Sequence, residues 1–163
     1  MNTYTAEYWI DKLQLIKHPE GGYYKETYRA SETITLHDER RRNTSTAIYY
    51  LLSGNDKSHF HKISSDEIWV YHHGEPIEIV VLEKDGTIST KVLGKNLHEG
   101  EDLQIVIPAN TWFGAKLKNA NGYSLVSCIV APGFDFKDFV LADRGELVQQ
   151  FPKCKAVIEK FTR

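Results

Sequence analysis

Short stretches rich in β-branched and aromatic residues follow one another closely from residue 45 onward, and they limit the fold more than any other feature of this chain. Seven such stretches occur in order: TAIYYLL, DEIWVYHHG, PIEIVVLE, TISTKVLG, LQIVIP, WFGAKL and YSLVSCIVAP. Turn-forming residues separate them, and the Asp85-Gly86 pair is typical of a two-residue hairpin. Many short strands with regular turns predict an all-β sandwich or barrel.

Helical patterns are confined to the two ends of the chain. Thr5 is a good N-cap, and the apolar residues after it recur at helical spacing, which predicts a helix over residues 5–16. Residues 143–161 predict a second helical segment that Pro152 interrupts. The 163 residues contain no linker or internal repeat, so we predict one domain, residues 1–163.

The charge balance excludes some classes of partner. The chain has 20 basic and 22 acidic residues and a net charge of −2, so no basic excess points to nucleic acid. No apolar run approaches the roughly 18 residues that a membrane span needs, and the N-terminus lacks a secretory pattern. We therefore expect a soluble, cytoplasmic protein. The basic run Arg40-Arg41-Arg42 lies in a polar hairpin or loop, either as a solvated segment or as an anion-binding lid.

The stretch SHFHKISSDEIWVYHHG, residues 58–74, contains the strongest candidate site. Alternate residues of a strand share a face, so His59 and His61 are expected to project together, with Glu67 on the next strand. Two imidazoles and one carboxylate suit a divalent metal such as Zn, Ni, Mn or Fe. Without a metal, the same groups suit a general base and its orienting partner. A strand with a merely polar face is the remaining alternative.

This stretch resembles the first motif of the cupin superfamily. Gly54 precedes the His-Phe-His triplet, Glu67 follows it, and six residues separate Glu67 from Gly74. VIPANTWFGA, residues 106–115, resembles the second motif: Asn110 stands where glycine is usual, and Asn also accepts a left-handed φ. Phe113 occupies the place of the fourth metal ligand, a histidine, and so removes one ligand from the resembled set.

A wider resemblance covers most of the chain. The blocks HPEGGYYKETYR, TAIYYLL, SHFHKISSDEIW, VIPANTWFGA and VAPGFDFKDFVLADRGEL are similar, in order, to small single-domain cupins classed as a domain of unknown function. The resemblance implies a cupin double-stranded β-helix, a jelly-roll-like barrel with short terminal helices, and a homodimer. It also implies a similarity in shape to nucleotide-sugar epimerases and to sugar isomerases.

In such a barrel, the two histidines and Glu67 are expected to face a cavity that holds a small-molecule ligand. The candidate aromatic walls are Trp69, Tyr71, Trp112 and Phe113. Flat aromatic faces suit sugar rings or nucleobases, although such residues also fill small barrels. Lys25 and Arg29 are candidate cations for a phosphate or carboxylate, with solvent exposure as the alternative. The HPEGG segment is expected to form only a tight turn.

Three functional hypotheses follow. The first is a sugar or nucleotide-sugar epimerase or isomerase, in which His59 or His61 removes a proton, Glu67 orients it and Tyr71 is the opposing acid. The second is a metal-dependent enzyme with His59, His61 and Glu67 as ligands. The third is a non-catalytic module that binds a metabolite between aromatic rings.

Overall fold

Antiparallel strands dominate the computed structural model, which describes residues 4–163, and the all-β expectation is confirmed. The strands are β1 (Ile16–Lys17), β2 (Tyr23–Arg29), β3 (Thr33–Thr35), β4 (Arg41–Asn43), β5 (Thr46–Ser53), β6 (Lys57–Lys62), β7 (Asp66–Gly74), β8 (Ile77–Leu82), β9 (Ile88–Leu93), β10 (Gln104–Ile107), β11 (Trp112–Leu117), β12 (Tyr123–Ala131) and β13 (Val140–Leu141). The helices are α1 (Ala6–Leu13), α2 (Arg144–Gln150) and α3 (Lys155–Lys160), with 3-10 turns at Leu97–Glu99, Phe136–Asp138 and Pro152–Cys154. The predicted domain also includes residues 1–3, which lie outside the described residues.

Two sheets pack face to face as a jelly roll. The first has the strand order β1-β2-β5-β12-β7-β10, and the second has the order β13-β6-β11-β8-β9. The main core lies between them and is formed by large side chains of both sheets, among them Tyr50, Leu52, Trp69, Ile79, Val81 and Phe113. The strands β3 and β4 form a separate hairpin. The sheets therefore enclose the interior without forming one continuous closed barrel.

The helices cover the outside of this sandwich. The hydroxyl of Thr5 accepts a hydrogen bond from Tyr8 N at 3.2 Å and caps α1 as predicted. The helix ends earlier than predicted, because Gln14 adopts a φ of 55° and Ile16 enters β1. α2 and α3 pack on the apolar outer face of the second sheet. β8 is consequently apolar on both faces, with Ile79 inward and Val80 against the helices.

The HPEGG segment is a turn that packs tightly against β6. His18 N donates to Gly22 O at 3.0 Å and closes the turn, while His59 N of β6 donates to Glu20 O at 2.8 Å. Gly21 has a φ of 112°, and a Cβ at this position would lie 1.9 Å from the carbonyl oxygen of Lys57. Only glycine permits this approach, which brings Glu20 into the interior.

No helix within residues 4–163 combines the length and apolar character that crossing a bilayer requires.

We expect Gly21→Ala to lower the free energy of unfolding by about 3 kcal/mol or more, because the new methyl group overlaps backbone that cannot move freely. Gly100→Ala is the matched control: Gly100 also has a positive φ, of 76°, but no atom lies within 4 Å of its added Cβ. The control should lose only about 1–2 kcal/mol. Denaturant unfolding of both variants measures the difference, and equal losses would show that the turn does not need its close contact with β6.

Candidate functional site

A cavity of about 630 Å³ lies beside the main core, between the N-terminal segment and strands β5, β6, β7 and β12. Its buried polar lining residues are His18, Glu20, Thr46, His61, Glu67 and Cys128. Its outer part is lined by Gln14, Lys25, Glu26, Arg29 and Asp135, and its aromatic residues are Tyr24, Phe134, Phe136 and Phe139. This volume is sufficient for one small organic ligand.

The carboxyl group of Glu20 lies between two imidazoles of this cavity. Its Oε2 is 3.1 Å from Nε2 of His61 and 3.6 Å from Nδ1 of His18. Its Oε1 accepts a hydrogen bond from the Ser58 hydroxyl at 3.0 Å. All four side chains are buried, so each contact acts in a medium with little screening by water.

Burial determines where the protons of this cluster lie. Nδ1 of His61 is 2.8 Å from the carbonyl oxygen of His59, which can only accept, so Nδ1 carries hydrogen. Burial lowers the pKa of His61 to about 4, so the ring is neutral at pH 7 and Nε2 holds a lone pair. Burial also raises the pKa of Glu20, against the opposing effects of His18 and the Ser58 hydroxyl. A proton held by Glu20 can therefore be donated from Oε2 to Nε2 of His61, which lies 3.1 Å away.

Glu67 provides a second acid–base group in the same cavity. It belongs to β7, where it pairs with Ile107 of β10 and Val130 of β12, and its side chain is buried. Burial, followed by repulsion from Glu20, raises the pKa of Glu67 to about 8. A carboxyl group with a pKa near neutrality is a much stronger base than an ordinary glutamate and still ionises at working pH.

The two cations at the cavity mouth, Lys25 and Arg29, differ in how many hydrogen bonds they already donate within the protein. Arg29 donates to both carboxylate oxygens of Glu26, at 2.9 and 2.7 Å, and also to the carbonyl of Phe134 at 3.1 Å. Lys25 Nζ donates to the Gln14 side chain at 3.0 Å. Lys25 therefore has more capacity than Arg29 to bind an anionic part of a ligand.

The segment 134–139 supplies the aromatic side of the cavity, and the β3–β4 hairpin holds it. The ring of Phe139 lies 5.4 Å from that of His61, centroid to centroid. Asp138 accepts three hydrogen bonds of 2.7 Å, one from Arg40 and two from Arg42. Arg40 and Arg42 are neither a solvated loop nor an anion-binding lid, because the largely buried Asp138 pairs with both of them and Asp38 also pairs with Arg40, so two carboxylates match their two charges. Arg41 between them is exposed.

The structure brings together only part of the site that the sequence predicts. His61, Glu67, Lys25 and Arg29 line the cavity. The remaining candidates lie elsewhere: Trp69 and Phe113 in the main core, Tyr71 against that core, Trp112 beside the helices, and His59 at a different cavity. Tyr71 donates its hydroxyl to Gly74 O at 2.7 Å, and Trp112 lies under the ammonium of Lys62 at 4.6 Å. The prediction that these four aromatic residues form the walls of the cavity is therefore wrong.

A β-bulge separates the two histidines of the HxH triplet. Phe113 of β11 pairs with His61, but Ala115, two residues on, pairs with Ser58, three residues back. β6 thus contains one extra residue, which breaks the alternation of side chains. His59 turns to the Glu20 carbonyl, where its Nδ1 lies 2.6 Å from the oxygen. The prediction that both imidazoles face one cavity is therefore wrong.

Sequence reasoning missed His18 and Glu20, which lie about forty residues before His61 in the chain. Their segment contains proline and two glycines, and this composition was sufficient to predict a turn. The additional signal was the acidic residue directly before Gly-Gly, because paired glycines permit a close approach of backbone to a neighbouring strand. That approach is what aligns Glu20 with the imidazoles.

The predicted metal ligands do not fit a metal. His59 and His61 face different cavities, and Phe113 packs its ring 4.3 Å from that of His61, where a further ligand would be needed. Within residues 4–163, no three His, Cys, Asp or Glu side chains are arranged to hold an ion. We therefore assign no chemical step to a metal.

Comparison with known proteins identifies the family. Residues 7–142 match the family described as Cupin superfamily (DUF985). The chain belongs to this family. The uncharacterized protein YML079W of Saccharomyces cerevisiae is 35% identical over 144 residues, covering 79% of this chain and 71% of the yeast protein.

Two solved structures share the whole fold of this cupin. A hypothetical protein from Leishmania major is 37% identical with a TM-score of 0.92, covering 98% of this chain and 99% of its own. Protein SO0799 from Shewanella oneidensis is 35% identical with a TM-score of 0.92, covering 99% of each chain. The predicted cupin double-stranded β-helix is thereby confirmed.

The raised pKa of Glu67 makes the stability of this cupin depend on pH. The folded protein retains the proton up to a pKa of about 8, whereas the unfolded chain loses it near the ordinary value of 4.5. Stability associated with this group therefore falls as pH rises from 4.5 to 8. Glu67→Gln cannot ionise, so its stability relative to the natural protein should increase across this range by up to about 5 kcal/mol.

Urea unfolding at several pH values measures this difference. Glu32→Gln is the control, because Glu32 is exposed and its replacement should leave the pH dependence unchanged. If Glu67→Gln and the natural protein show the same slope between pH 5 and 8, Glu67 is not held protonated in the fold.

Proposed function

We propose that this cupin is an isomerase or epimerase that transfers protons on a small carbonyl compound. The observation that carries the proposal is that the cavity contains two buried acid–base groups shifted in opposite directions, Glu67 with a pKa of about 8 and His61 with a pKa of about 4. Groups whose environments separate their pKa values in this way are typical acid and base partners, and a glutamate base with a neutral imidazole is one known pairing in isomerisation.

In the proposed reaction, ionised Glu67 removes a proton from the carbon next to the substrate carbonyl. The C–H electron pair forms a carbon–carbon double bond, and the carbonyl oxygen takes a proton from the Glu20–His61 pair. With an α-hydroxy carbonyl substrate, the first proton returns to the former carbonyl carbon while the neighbouring hydroxyl gives its proton to the Glu20–His61 pair, which forms the new carbonyl of an isomer. If the enol instead turns its other face to Glu67 before the proton returns to the original carbon, the product is an epimer and the enol proton goes back to the Glu20–His61 pair. Neither route requires a co-reactant.

This assignment changes the roles expected from the sequence. Glu67 becomes the base rather than an orienting group, and the Glu20–His61 pair replaces Tyr71 as the acid. His18 contacts Glu20 from the other side and opposes the rise of its pKa. His59 contributes only its carbonyl oxygen, which fixes the His61 tautomer.

The lining supports a sugar-like or nucleotide-sugar substrate. The phenylalanines of segment 134–139 offer flat apolar faces, and Lys25 offers a cation for a phosphate or carboxylate at the mouth. We further propose that the protein acts on this small molecule as a homodimer in the cytoplasm. The alternative is a protein that binds such a ligand without turnover, and deuterium exchange distinguishes this binding module from an enzyme.

We expect the protein to exchange a substrate C–H with deuterium from heavy water, observed by NMR with a panel of sugar phosphates and nucleotide sugars. Glu67→Gln should reduce the exchange by at least about a hundredfold, the usual contribution of a positioned acid–base group. Tyr71→Phe should retain it, because the Tyr71 hydroxyl bonds Gly74 outside the cavity. A panel member that raises the melting temperature without exchanging would identify a binding module, and exchange that survives Glu67→Gln would refute the proposed base.

The exchange rate should depend on the ionisation of Glu67. It should rise about tenfold per pH unit below pH 8 and level off above it, because only the ionised form accepts a proton. Rates measured from pH 5.5 to 9.5, minus those of Glu67→Gln, give this profile. A rate that falls between pH 6 and 8 would show instead that protonated Glu67 acts as the acid.

A further inference from the structure

A second cavity lies on the opposite side of the HPEGG turn from the first cavity, which is the one lined by His61 and Glu67. Its volume is about 370 Å³. Its lining residues are Lys17, His18, Gly21, Gly22, Tyr23, Asn55, Asp56, Lys57, His59 and Arg163. His18 lines both cavities, so the turn separates them.

The side chains around this second cavity carry an excess of positive charge. Among residues 4–163, Lys17, Lys57 and Arg163 contribute three cations to the lining, whereas Asp56 is the one carboxylate side chain in it. Across the described part of the chain, residues 4–163, none of the three cations forms an ion pair with a carboxylate. A concave surface lined by one sign of charge concentrates its field within the cavity and attracts ions of the opposite sign.

Two of these cations are held in place by groups that do not neutralise them. Lys57 Nζ donates to the carbonyl of Lys160 at 3.0 Å and lies 5.8 Å from the ring centroid of Phe161. Lys17 Nζ lies 5.4 Å from the ring centroid of Tyr23. An aromatic face or a neutral carbonyl restricts the motion of a lysine ammonium group without neutralising its charge. The lysine side chain therefore loses less conformational entropy when a ligand binds.

His59 adds a hydrogen-bonding group to these charges. Its Nδ1 donates to the Glu20 carbonyl at 2.6 Å, because a carbonyl oxygen can only accept. With hydrogen on Nδ1, the other ring nitrogen, Nε2, can accept a hydrogen bond from a P–OH group. A phosphate carries both negative charge and, in its monoprotonated form, such a donor.

We propose that this second cavity binds the phosphate group of a small soluble phosphate ester, through Lys17, Lys57 and Arg163 with His59 as acceptor. This site is independent of the proton-transfer proposal, since Glu67 and His61 do not line it. It also gives a role to His59, which the β-bulge turns away from the first cavity.

Titration calorimetry with inorganic phosphate tests the site, with sodium chloride adjusted to hold the ionic strength constant. Lys57→Ala, Lys17→Ala and Arg163→Ala should each weaken phosphate binding about tenfold, because each removes one charge-assisted contact. Lys62→Ala is the matched control: Lys62 also lies over an aromatic ring, that of Trp112, but faces away from this cavity. Its affinity should equal that of the natural protein.

Lys57 also contacts the C-terminal helix region, so Lys57→Ala can fail to fold. A second measurement therefore tests the site in the natural protein. In the natural protein, phosphate should shift the imidazole NMR signals of His59 and leave those of His98, an exposed residue, unchanged. Absence of phosphate binding, equal weakening by Lys62→Ala, or phosphate shifts that spare His59 would each overturn the proposal.

Discussion

The site depends on the close contact between the HPEGG turn and strand β6. The carbonyl oxygen of Glu20 accepts hydrogen bonds from both the backbone N and the Nδ1 of His59, at 2.8 and 2.6 Å. These two hydrogen bonds hold the backbone of Glu20, and its carboxyl oxygens contact His61, His18 and Ser58 in the interior. Gly21 makes the contact possible, because a side chain at that position would overlap the carbonyl of Lys57.

Once the carboxyl group is inside, burial determines its chemistry. A group in a medium that solvates charge poorly prefers its neutral form, so burial raises the pKa of Glu20 and Glu67 and lowers that of His61. At pH 7, Glu67 and His61 are therefore mainly uncharged. At a solvent-exposed surface, the same carboxyl groups would both be ionised at pH 7 and would be weak bases.

Much of the fold could be predicted from the sequence, because strand patterns and turn residues act locally. The hairpin at Asp85-Gly86, the left-handed Asn110 and the Thr5 cap all depend on a few neighbouring residues, and each is present. The hairpin loop is longer than the two residues predicted, because Glu83 N donates to Thr87 O at 2.9 Å and leaves residues 84–86 between them. His61 and Glu67 were found by the same local alternation. His59 was misplaced because a bulge depends on how two strands pair, and Glu20 was missed because its contacts are made by residues about forty positions away. The aromatic candidates failed for a related reason, since alternation cannot tell which apolar side chains face a cavity and which fill the core.

The three hydrogen bonds that Arg40 and Arg42 donate to Asp138 also affect how this protein can change over evolution. They tie an exposed hairpin to the aromatic segment, while the acid–base groups stand on separate strands and on the HPEGG turn. Insertions or substitutions in the hairpin can therefore reshape the entrance without disturbing the proton chemistry at its base. Relatives that keep the same acid–base groups can then differ in the compounds they accept. Reactivity and substrate selectivity would evolve through different segments of the chain.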